Sequence, residues 1–205
     1  MRNLGGSLDY ILFGASGHGK VLKDIIRRRN ENLVCFFDDD PEKNTFNGID
    51  VLRYRHDVFE NVAVIVSIGE NRLRQKVAAK IKHDFSALID TSCVIAADAS
   101  IGNGTAVLHG SVIQSSTLVG MHCIINTNAS VDHDCKIGDY AHISPNATLC
   151  GGVTIGEGAH IGAGAIIIPN VTVGRWSIIG AGTVIIHDVP ENAVVVGNPG
   201  RIIKH

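Results

Sequence analysis

The sequence has few aromatic residues, few charges and no long apolar run, and each shortage excludes a class of protein. Aromatic residues make up 5% of the 205 positions and charged residues 19%, with a net charge of -2. A generally basic surface for nucleic acid is therefore not expected. No apolar run approaches the roughly eighteen residues that a membrane helix needs, and residues 1–8 lack the apolar core of a signal peptide. We expect a cytoplasmic protein whose five cysteines are free thiols.

A six-residue repeat that begins at residue 89 is the most abundant feature of the sequence. An aliphatic residue recurs at every sixth position from Ile89 to Ile185, seventeen times in succession. A compact side chain follows four residues after each of them, and glycine is frequent directly after the aliphatic. This period excludes an α-helix and is typical of a parallel β-helix, in which three hexads close one triangular coil. Residues eighteen apart should stack in columns, with the aliphatic side chains inside.

The positions of most cysteines in the sequence indicate that they are packing residues. Cys93, Cys123 and Cys135 occupy the compact interior position of their hexads, and Cys35 lies in an apolar run. Thiols in apolar surroundings are unreactive, so we interpret these four as core residues. Cys150 falls at a different hexad position, and its role is left open.

The first 88 residues follow another pattern. Apolar runs at 10–13, 33–37 and 62–68 predict buried strands, and helical spacing at 20–29 and 73–81 predicts two helices. The order strand, helix, strand, strand, helix implies a small parallel sheet of Rossmann type. We therefore divide the chain into a Rossmann-like nucleotide-binding domain at 1–88, a β-helix at 89–190 and a C-terminal tail at 191–205.

A glycine-rich turn joins the first strand to the first helix. Gly14, Gly17 and Gly19 would bring backbone N–H groups to a helix N-terminus, which suits phosphate, and His18 lies inside the turn. Asp38 follows about twenty residues later, as does the acid that binds a ribose hydroxyl in dinucleotide folds. A domain of this length holds only half of a dinucleotide fold, so a nucleotide diphosphate fits better than NAD. The alternatives are a tight turn without ligand and, for the acids after Asp38, a solvated turn.

Six of the ten histidines lie in the β-helix region. No two of these six have the five-residue spacing of a zinc-binding triplet, so we expect no metal. His142 and His160 are eighteen residues apart and should stack on an outer wall. For His160 the simplest interpretation of that stack is a surface ladder.

His133 is the histidine best placed for catalysis. It stands at a β-helix turn between Asp132 and Asp134. A carboxylate that binds one imidazole nitrogen raises the basicity of the other. Gly151, eighteen residues on, should lie beside His133 and offer open space and a backbone N–H for an oxyanion. The alternative is a polar corner without a function.

Several motifs together resemble the PglD/NeuD-type nucleotide-sugar acetyltransferases of the bacillosamine, perosamine and sialic-acid pathways. The hexads mark only the broad superfamily of hexapeptide-repeat acyltransferases, and the other motifs are more specific. They are Gly14-Ala15-Ser16-Gly17-His18-Gly19, Ser67-Ile68-Gly69-Glu70-Asn71-Arg72-Leu73-Arg74, Asn126-Thr127, Val131-Asp132-His133-Asp134-Cys135 and Gly197-Asn198-Pro199. The resemblance covers nearly the whole chain from Asp9 and implies a left-handed β-helix.

The resemblance also implies a reaction, in which acetyl-CoA acetylates the amino group of a nucleotide-linked 4-amino-4,6-dideoxy sugar by direct attack. It makes His133 the general base, Asp134 its orienting acid (some relatives have the longer Glu there) and Gly151 the oxyanion donor. It implies that acetyl-CoA contacts His142, Ala163, Gly180 and Ala181. It implies that the nucleotide sugar contacts Gly17, His18, Gly19, Asp38, Asp39, Ser67, Gly69, Asn71 and Asn126.

The spacing of the two implicated histidines bears on the assembly. His133 and His142 are nine residues apart, which is half a coil, so they cannot share one corner of one prism. If both serve one site, two chains contribute to it, and we expect a homotrimer with active sites between subunits. Sugar O-acetylation of the sialic-acid type and a non-enzymatic hexapeptide scaffold are the alternative functions. The choice between a UDP-sugar and a GDP-sugar is left open.

Overall fold

The computed structural model of the chain describes residues 8–204. Residues 1–7, part of the stretch expected not to be a signal peptide, and residue 205 lie outside the described residues. The N-terminal part is a five-stranded sheet with a helix on each face. Its elements are β1 (Asp9–Phe13), α1 (Gly17–Arg28), β2 (Asn32–Phe37), β3 (Thr45–Phe46), β4 (Ile49–Leu52), β5 (Ala63–Val66) and α2 (Asn71–Ala78). The strand order is β3-β4-β2-β1-β5, and only β3 and β4 pair antiparallel.

The predicted parallel sheet is confirmed, with one addition. All three predicted strands and both predicted helices are present. The hairpin β3–β4 was not predicted, because its strands are too short to show a hydrophobic period. Its two-residue loop is Asn47-Gly48, in which both residues have positive φ, 50° and 76°. Asn-Gly is the strongest local signal for such a loop, so the hairpin could have been found from that dipeptide.

Two cores flank the N-terminal sheet, and one of them continues into the β-helix. On one face, side chains of β1 and β2 pack with Leu22, Ile25 and Ile26 of α1. The same cluster includes Leu88 and Ile124, which point outward from the β-helix. On the other face, β1, β2 and β5 pack against Val77 and Ala78 of α2 together with Ile81. The N-terminal sheet is therefore attached to one wall of the β-helix through buried apolar side chains.

The β-helix begins with seventeen strands of two residues, one for each predicted hexad. They are β6 (Leu88–Ile89), β7 (Val94–Ile95), β8 (Ser100–Ile101), β9 (Ala106–Val107), β10 (Val112–Ile113), β11 (Leu118–Val119), β12 (Ile124–Ile125), β13 (Ser130–Val131), β14 (Lys136–Ile137), β15 (His142–Ile143), β16 (Thr148–Leu149), β17 (Thr154–Ile155), β18 (His160–Ile161), β19 (Ile166–Ile167), β20 (Thr172–Val173), β21 (Ile178–Ile179) and β22 (Val184–Ile185). Every third strand pairs in parallel with an offset of eighteen residues, as in Ile125 with Ile143. The predicted left-handed β-helix is the fold of this part of the chain.

Three sheets form the walls of the prism. Wall A contains β7, β10, β13, β16, β19 and β22, and wall B contains β8, β11, β14, β17 and β20. Wall C contains β6, β9, β12, β15, β18 and β21, and it continues into β23 (Val194–Val196) and the antiparallel β24 (Arg201–Lys204). The N-terminal sheet covers wall C at its first strands β6, β9 and β12, which contribute Leu88, Ala106 and Ile124 to the shared core. Within residues 8–204, no helix is long and apolar enough to cross a membrane.

The cysteines occupy the positions expected of packing residues. Cys35, Cys123 and Cys135 are buried, while Cys93 and Cys150 are half-buried, and all five are free thiols. Burial raises the pKa of Cys35 to about 11 and that of Cys123 to about 12. Thiols with such values are not nucleophiles at neutral pH.

Candidate active site

The three glycines of the first turn differ in what an added side chain would meet. Gly14 has φ +118°, which disfavours any side chain. A Cβ on Gly19 would lie 2.7 Å from the carbonyl oxygen of Gly14, so Gly19 allows the helix to pack against the turn. A Cβ on Gly17 would meet no described atom within 4 Å. Of the three, only Gly17 faces open space, at the N-terminus of α1 where an anion is favoured.

Ser67 and Asp38 hold this turn from two sides. Ser67 is fully buried, and its hydroxyl donates to the carbonyl oxygen of Gly14 at 2.8 Å. Asp38 Oδ2 accepts from the Ala15 N–H at 2.8 Å and from Lys43 Nζ at 3.0 Å. Burial alone would raise the pKa of Asp38, but these bonds and the Asp40 N–H hold it below the ordinary value. Ser67 thus lies behind the turn, and the ionised Asp38 shapes it.

A cavity of about 310 Å³ opens in front of the turn. Gly14, Ser16, Asp38 and Asp39 line its polar side, and apolar side chains that include Leu73 line the other. The two acids therefore share a cavity with the glycine turn, as a nucleotide site requires.

His18 lies in the first turn of α1 and is half-buried rather than solvated. Its Nε2 is buried and finds no hydrogen-bond partner in the part of the chain that the structure describes. Burial, followed by the charge of Arg74, lowers the pKa of His18 to about 4. The imidazole is therefore neutral at physiological pH and has a buried polar atom without a partner.

The loop before α2 joins the N-terminal sheet to wall C. Asn71 Nδ2 donates to the carbonyl oxygens of Gly158 at 3.0 Å and Ala159 at 3.3 Å. Asn71 Oδ1 accepts from Arg74 Nη2 at 2.8 Å. The side chain of Asn71 is thus committed to contacts within the chain. Gly69, also expected at the nucleotide sugar, lines the cavity between this loop and the wall.

That second cavity has a volume of about 500 Å³ and contains a pair of histidines. His142 and His160 stack with ring centroids 4.8 Å apart and an interplanar angle of 5°. The predicted stack is confirmed, but it is half-buried in the cavity and does not form the surface ladder expected for His160. Trp176 lies on the opposite rim, with the guanidinium of Arg72 4.4 Å from its ring centroid.

The hydrogen bonds of Asn126 define which ring nitrogen of His142 carries the proton. Asn126 Oδ1 accepts from the Thr127 N–H at 2.8 Å, so its Nδ2 faces His142 Nε2 at 3.0 Å. Nε2 must accept this bond, which places the proton of His142 on Nδ1. Burial first, then His160, Arg74 and His18, lower the pKa of His142 to about 3. His142 is therefore a neutral donor. Its Nδ1 makes no hydrogen bond of ordinary geometry among the described residues, although the Gly69 backbone is close enough to act on the imidazole and to raise its pKa slightly.

His133 occupies a different corner, between walls A and B. Its Nδ1 lies 2.7 Å from Asp134 Oδ2, and Asp134 reaches back from a left-handed conformation, φ 59°. The hydrogen bond to Asp134, and then the charge of Asp132, raise the pKa of His133. A Cβ on Gly151 would lie 2.7 Å from both Nε2 and Cε1 of the imidazole. Gly151 therefore creates the space in which the His133 ring lies.

The residues expected at the acetyl-CoA arm lie at a fourth place. Ala163, Gly180 and Ala181 form turns at the corner between walls C and A. The N–H groups of Ala163, Ala181 and Gly151 donate to no acceptor within residues 8–204. This turn position is similarly free elsewhere in the β-helix, so the free N–H groups do not single out a site by themselves. Gly151 is distinguished by the imidazole beside it.

The structure therefore assembles the predicted residues into four groups. The glycine turn with Asp38 and Asp39 forms the first, and His142, which lines the second cavity, forms the second with its hydrogen-bond partner Asn126 and with His18, which contributes to its lowered pKa. His133, Asp134 and Gly151 form the third and Ala163, Gly180 and Ala181 the fourth, at two different corners of the β-helix. Sequence reasoning included Arg72 and Arg74 in the motif at 67–74 but gave them no role, and it missed Trp176, because the two chain segments meet only in the tertiary fold. Among the described residues, no group of His, Cys, Asp and Glu is arranged to hold a metal ion.

Comparisons with known families agree with this two-part architecture. The PglD N-terminal domain family matches residues 9–81, and the bacterial transferase hexapeptide (six repeats) family matches residues 116–151 and 152–187. A UDP-N-acetylbacillosamine N-acetyltransferase of Bacillus subtilis (strain 168) is 38% identical over 108 residues. That alignment spans 47% of this chain and 50% of the Bacillus protein, so the chain matches about half the length of this relative.

Two solved structures resemble the whole chain. PerB from Caulobacter crescentus, in complex with CoA and GDP-perosamine, has a TM-score of 0.89 at 35% identity, with 98% of each chain covered. The acetyltransferase domain of PglB from Neisseria gonorrhoeae FA1090, in complex with acetyl coenzyme A, has a TM-score of 0.89 at 33% identity. The match covers 97% of this chain and 100% of that domain.

A parallel α/β sheet attached to a hexapeptide β-helix defines a two-part hexapeptide transferase. Within that class, the N-terminal match and the likeness along the full length identify the family. The chain belongs to the PglD-type sugar acetyltransferases.

Proposed function

We propose that this chain is an acetyl-CoA-dependent N-acetyltransferase that acts on a nucleotide-linked 4-amino-4,6-dideoxy sugar by direct attack. The observation that carries the proposal is the corner at His133. There an imidazole is bound to a carboxylate through Nδ1 and lies against a glycine with a free N–H. Relatives that contain CoA and a nucleotide amino sugar support the class of substrates.

The geometry of His133 supports the role of a general base. Because Asp134 binds Nδ1, the lone pair of Nε2 is available to the substrate amine. As the amine nitrogen attacks the thioester carbonyl, the C–N bond forms and the amine proton passes to Nε2. The Gly151 N–H stabilises the oxyanion. When the intermediate collapses, the C–S bond breaks and the sulfur of CoA leaves as the thiolate, which takes the proton from His133 Nε2 and so regenerates the base.

We assign the four groups of residues to four parts of the reaction, in which His133, Asp134 and Gly151 act in proton transfer and oxyanion binding as described above. The cavity lined by Asp38 and Asp39, with Gly17 at the adjacent N-terminus of α1, takes the nucleotide, and His18 points its free nitrogen toward the diphosphate and sugar. Ser67 and Asn71 act by holding the loops that form this site. The second cavity, with Asn126 and His142, lies where the sugar and the acetyl group meet. The amides of Ala163 and Ala181, beside Gly180, bind the pantetheine arm. We propose that the chain divides functionally at 88/89 and 190/191, although β6 spans the first boundary and β23 continues wall C beyond the second.

Since one chain separates these groups among different corners, we propose a homotrimer with each site shared between two chains. Mixing two inactive variants tests this arrangement. His133→Ala chains and Gly17→Val chains, unfolded together and refolded, should regain turnover at a limiting nucleotide-sugar concentration, because some mixed sites contain both native residues. Light scattering should give the mass of three chains. A monomer with full activity, or mixtures no more active than the separate variants, would refute the shared site.

Turnover of acetyl-CoA with a panel of acceptors tests the function itself. The panel contains UDP- and GDP-linked amino sugars and matched sugars with a hydroxyl in place of the amine. CoA release is followed with a thiol reagent, and the product is examined for one added acetyl group by mass spectrometry. We expect transfer only to the amine. Acetylation of the hydroxyl sugars would indicate an O-acetyltransferase, and no transfer to any acceptor would favour a scaffold.

A further inference from the structure

Arg74 is a fully buried cation at the junction of the two parts of the chain. Its side chain is about 1% exposed, and all five of its N–H groups donate hydrogen bonds. Nε donates to the carbonyl oxygen of His122 at 2.8 Å. Nη1 donates to the carbonyl oxygens of Ile68 at 3.0 Å and Gly69 at 3.2 Å. Nη2 donates to Asn71 Oδ1 at 2.8 Å and to the carbonyl oxygen of Tyr140 at 2.6 Å.

None of these acceptors carries a charge. Throughout residues 8–204, no carboxylate forms an ion pair with Arg74. Burial lowers the pKa of Arg74 to about 10, so the guanidinium is still charged at neutral pH. Desolvation of a guanidinium is costly, and the five hydrogen bonds offset that cost only while all the acceptors keep their positions. The arginine therefore couples the positions of the segments that supply these acceptors.

The five acceptors show what the guanidinium connects. Three belong to the loop at 68–71, defined as the end of the loop before α2 together with the first residue of α2, which borders the second cavity. The other two are the carbonyl oxygens of His122 and Tyr140, each two residues before a strand residue of wall C, and the second of these strand residues is His142. The guanidinium thus sets the spacing between the loop and the His142 imidazole.

We propose that Arg74 is a positioning residue for acyl transfer, which joins the loop at 68–71 to wall C and so fixes the cavity in which the sugar and the acetyl group meet. The inference rests on the proposed function for its kinetic part only. Arg74 itself is buried and does not touch the substrates.

The charge of Arg74 also acts on four histidines, of which His142 and His160 line the second cavity. After burial, it is a cause of the lowered pKa values of His18, His122, His142 and His160. The other titratable or charged groups that act on Arg74 or these imidazoles are Glu70, Cys123, Asp139 and Tyr140. Removing the cation should therefore allow His18 and His142 to protonate at a higher pH.

Two substitutions at Arg74 separate its geometry from its charge. Arg74→Lys retains the charge but loses the five-donor fork, whereas Arg74→Met loses both. Lys76→Met, at an exposed position of the same helix, is the matched control. We measure kcat and both KM values, thermal unfolding, and the titration of the imidazole C–H signals by NMR, with His142→Gln to assign the His142 signal.

For Arg74→Lys we expect a fall in kcat of about tenfold with His142 still neutral, because misplacement by about 1 Å costs up to about 10²-fold. For Arg74→Met we expect a larger fall, and His18 and His142 should begin to titrate at a higher pH than in the wild type. Lys76→Met should match the wild type in every measurement. A change in stability alone would not move the imidazole titration of the folded protein.

Two results would overturn the proposal. One is Arg74→Lys with kcat within about twofold of the control, and the other is Arg74→Met with an unchanged titration of His18 and His142. Should neither variant fold, Asn71→Ala, which removes one acceptor of the fork together with the hydrogen bonds to Gly158 and Ala159, tests whether the attachment of this loop to wall C matters for turnover, and unchanged kcat there would refute the kinetic part. If the wild type acetylates no nucleotide amino sugar, the proposed function fails, while the NMR titration still tests the electrostatic part.

Discussion

His133 and His142 lie on the same β-helix and have opposite environments. The His133 side chain is 60% exposed and is bound to a carboxylate, which raises its pKa. His142 is half-buried under the N-terminal sheet, and its pKa is lowered to about 3. The first environment favours a base and the second a neutral hydrogen-bond donor. The residue type alone therefore does not define the role, and the neighbours that the fold supplies do.

Loss of His133 should have the largest effect. His133→Ala removes the proposed base, so kcat should fall by about 10²–10⁴-fold with little change in the affinity for acetyl-CoA. His187→Ala, at an exposed histidine of the same β-helix, is the control and should be as active as the wild type. Steady-state kinetics and calorimetric titration with CoA measure the two quantities. Near-normal turnover in His133→Ala would show that the amine loses its proton without this base.

Gly151→Ala should have the next largest effect. The added Cβ would lie 2.7 Å from two atoms of the His133 ring, which must then move away from its position. We expect kcat to fall by about 10–10²-fold, because the base is retained but misplaced. A crystal structure of the variant should show a displaced imidazole. A ring in its original place together with normal kcat would contradict the role assigned to Gly151.

Asp134→Asn should cost less than His133→Ala and should change the pH profile. The hydrogen bond to Asp134 is the largest cause of the raised pKa of His133. Turnover needs neutral His133, so kcat/KM of the wild type falls as the pH drops through that raised pKa. In the variant the pKa falls toward its ordinary value, and the acidic limb should move to lower pH. If the acidic limb of the kcat/KM profile stays in place, or if Asp134→Asn loses more activity than His133→Ala, the roles of base and orienting acid assigned to the two residues are wrong.

The smallest effect concerns stability and the neutral state of His142. Its pKa is about 3 in the folded chain and 6.5 ordinarily, so between these values the unfolded chain binds more protons. The contribution of neutral His142 to the free energy of unfolding is fully present above about pH 6.5 and is lost as the pH falls toward 3. Between about pH 7 and pH 5, the Tm of His142→Gln should therefore fall by a few degrees less than the Tm of the wild type. His187→Gln is the control, and equal losses in all three proteins would show that His142 is not held neutral.

The sequence predicted the fold more completely than it predicted the site. The β-helix was predictable because each hexad repeats the same local requirement, an aliphatic residue inside and a compact residue at the corner. The hairpin β3–β4 was missed because strands of two and four residues show no period, although Asn47-Gly48 marks its loop. His133 was found because its partners Asp132 and Asp134 are its neighbours in the chain.

The remaining parts of the site depend on contacts between distant segments. Nothing near Arg74 in the chain shows that it is buried, because its acceptors at His122 and Tyr140 lie 48 and 66 residues away. His160 was expected on the surface, since the sequence does not show that the N-terminal sheet and its loops cover that wall.

The sequence by itself determined the features that depend on one hexad, one turn or one coil. These features are the β-helix, the glycine turn, the acid beside His133 and the space at Gly151. A local pattern can determine these because the interacting groups are fixed by short spacing or by the constant offset of eighteen residues. The tertiary structure alone decided that His142 is neutral, that Asn71 bridges two parts of the chain and that Arg74 is a buried cation. Each of these depends on desolvation and hydrogen bonds between segments that meet only when the N-terminal sheet packs on the wall.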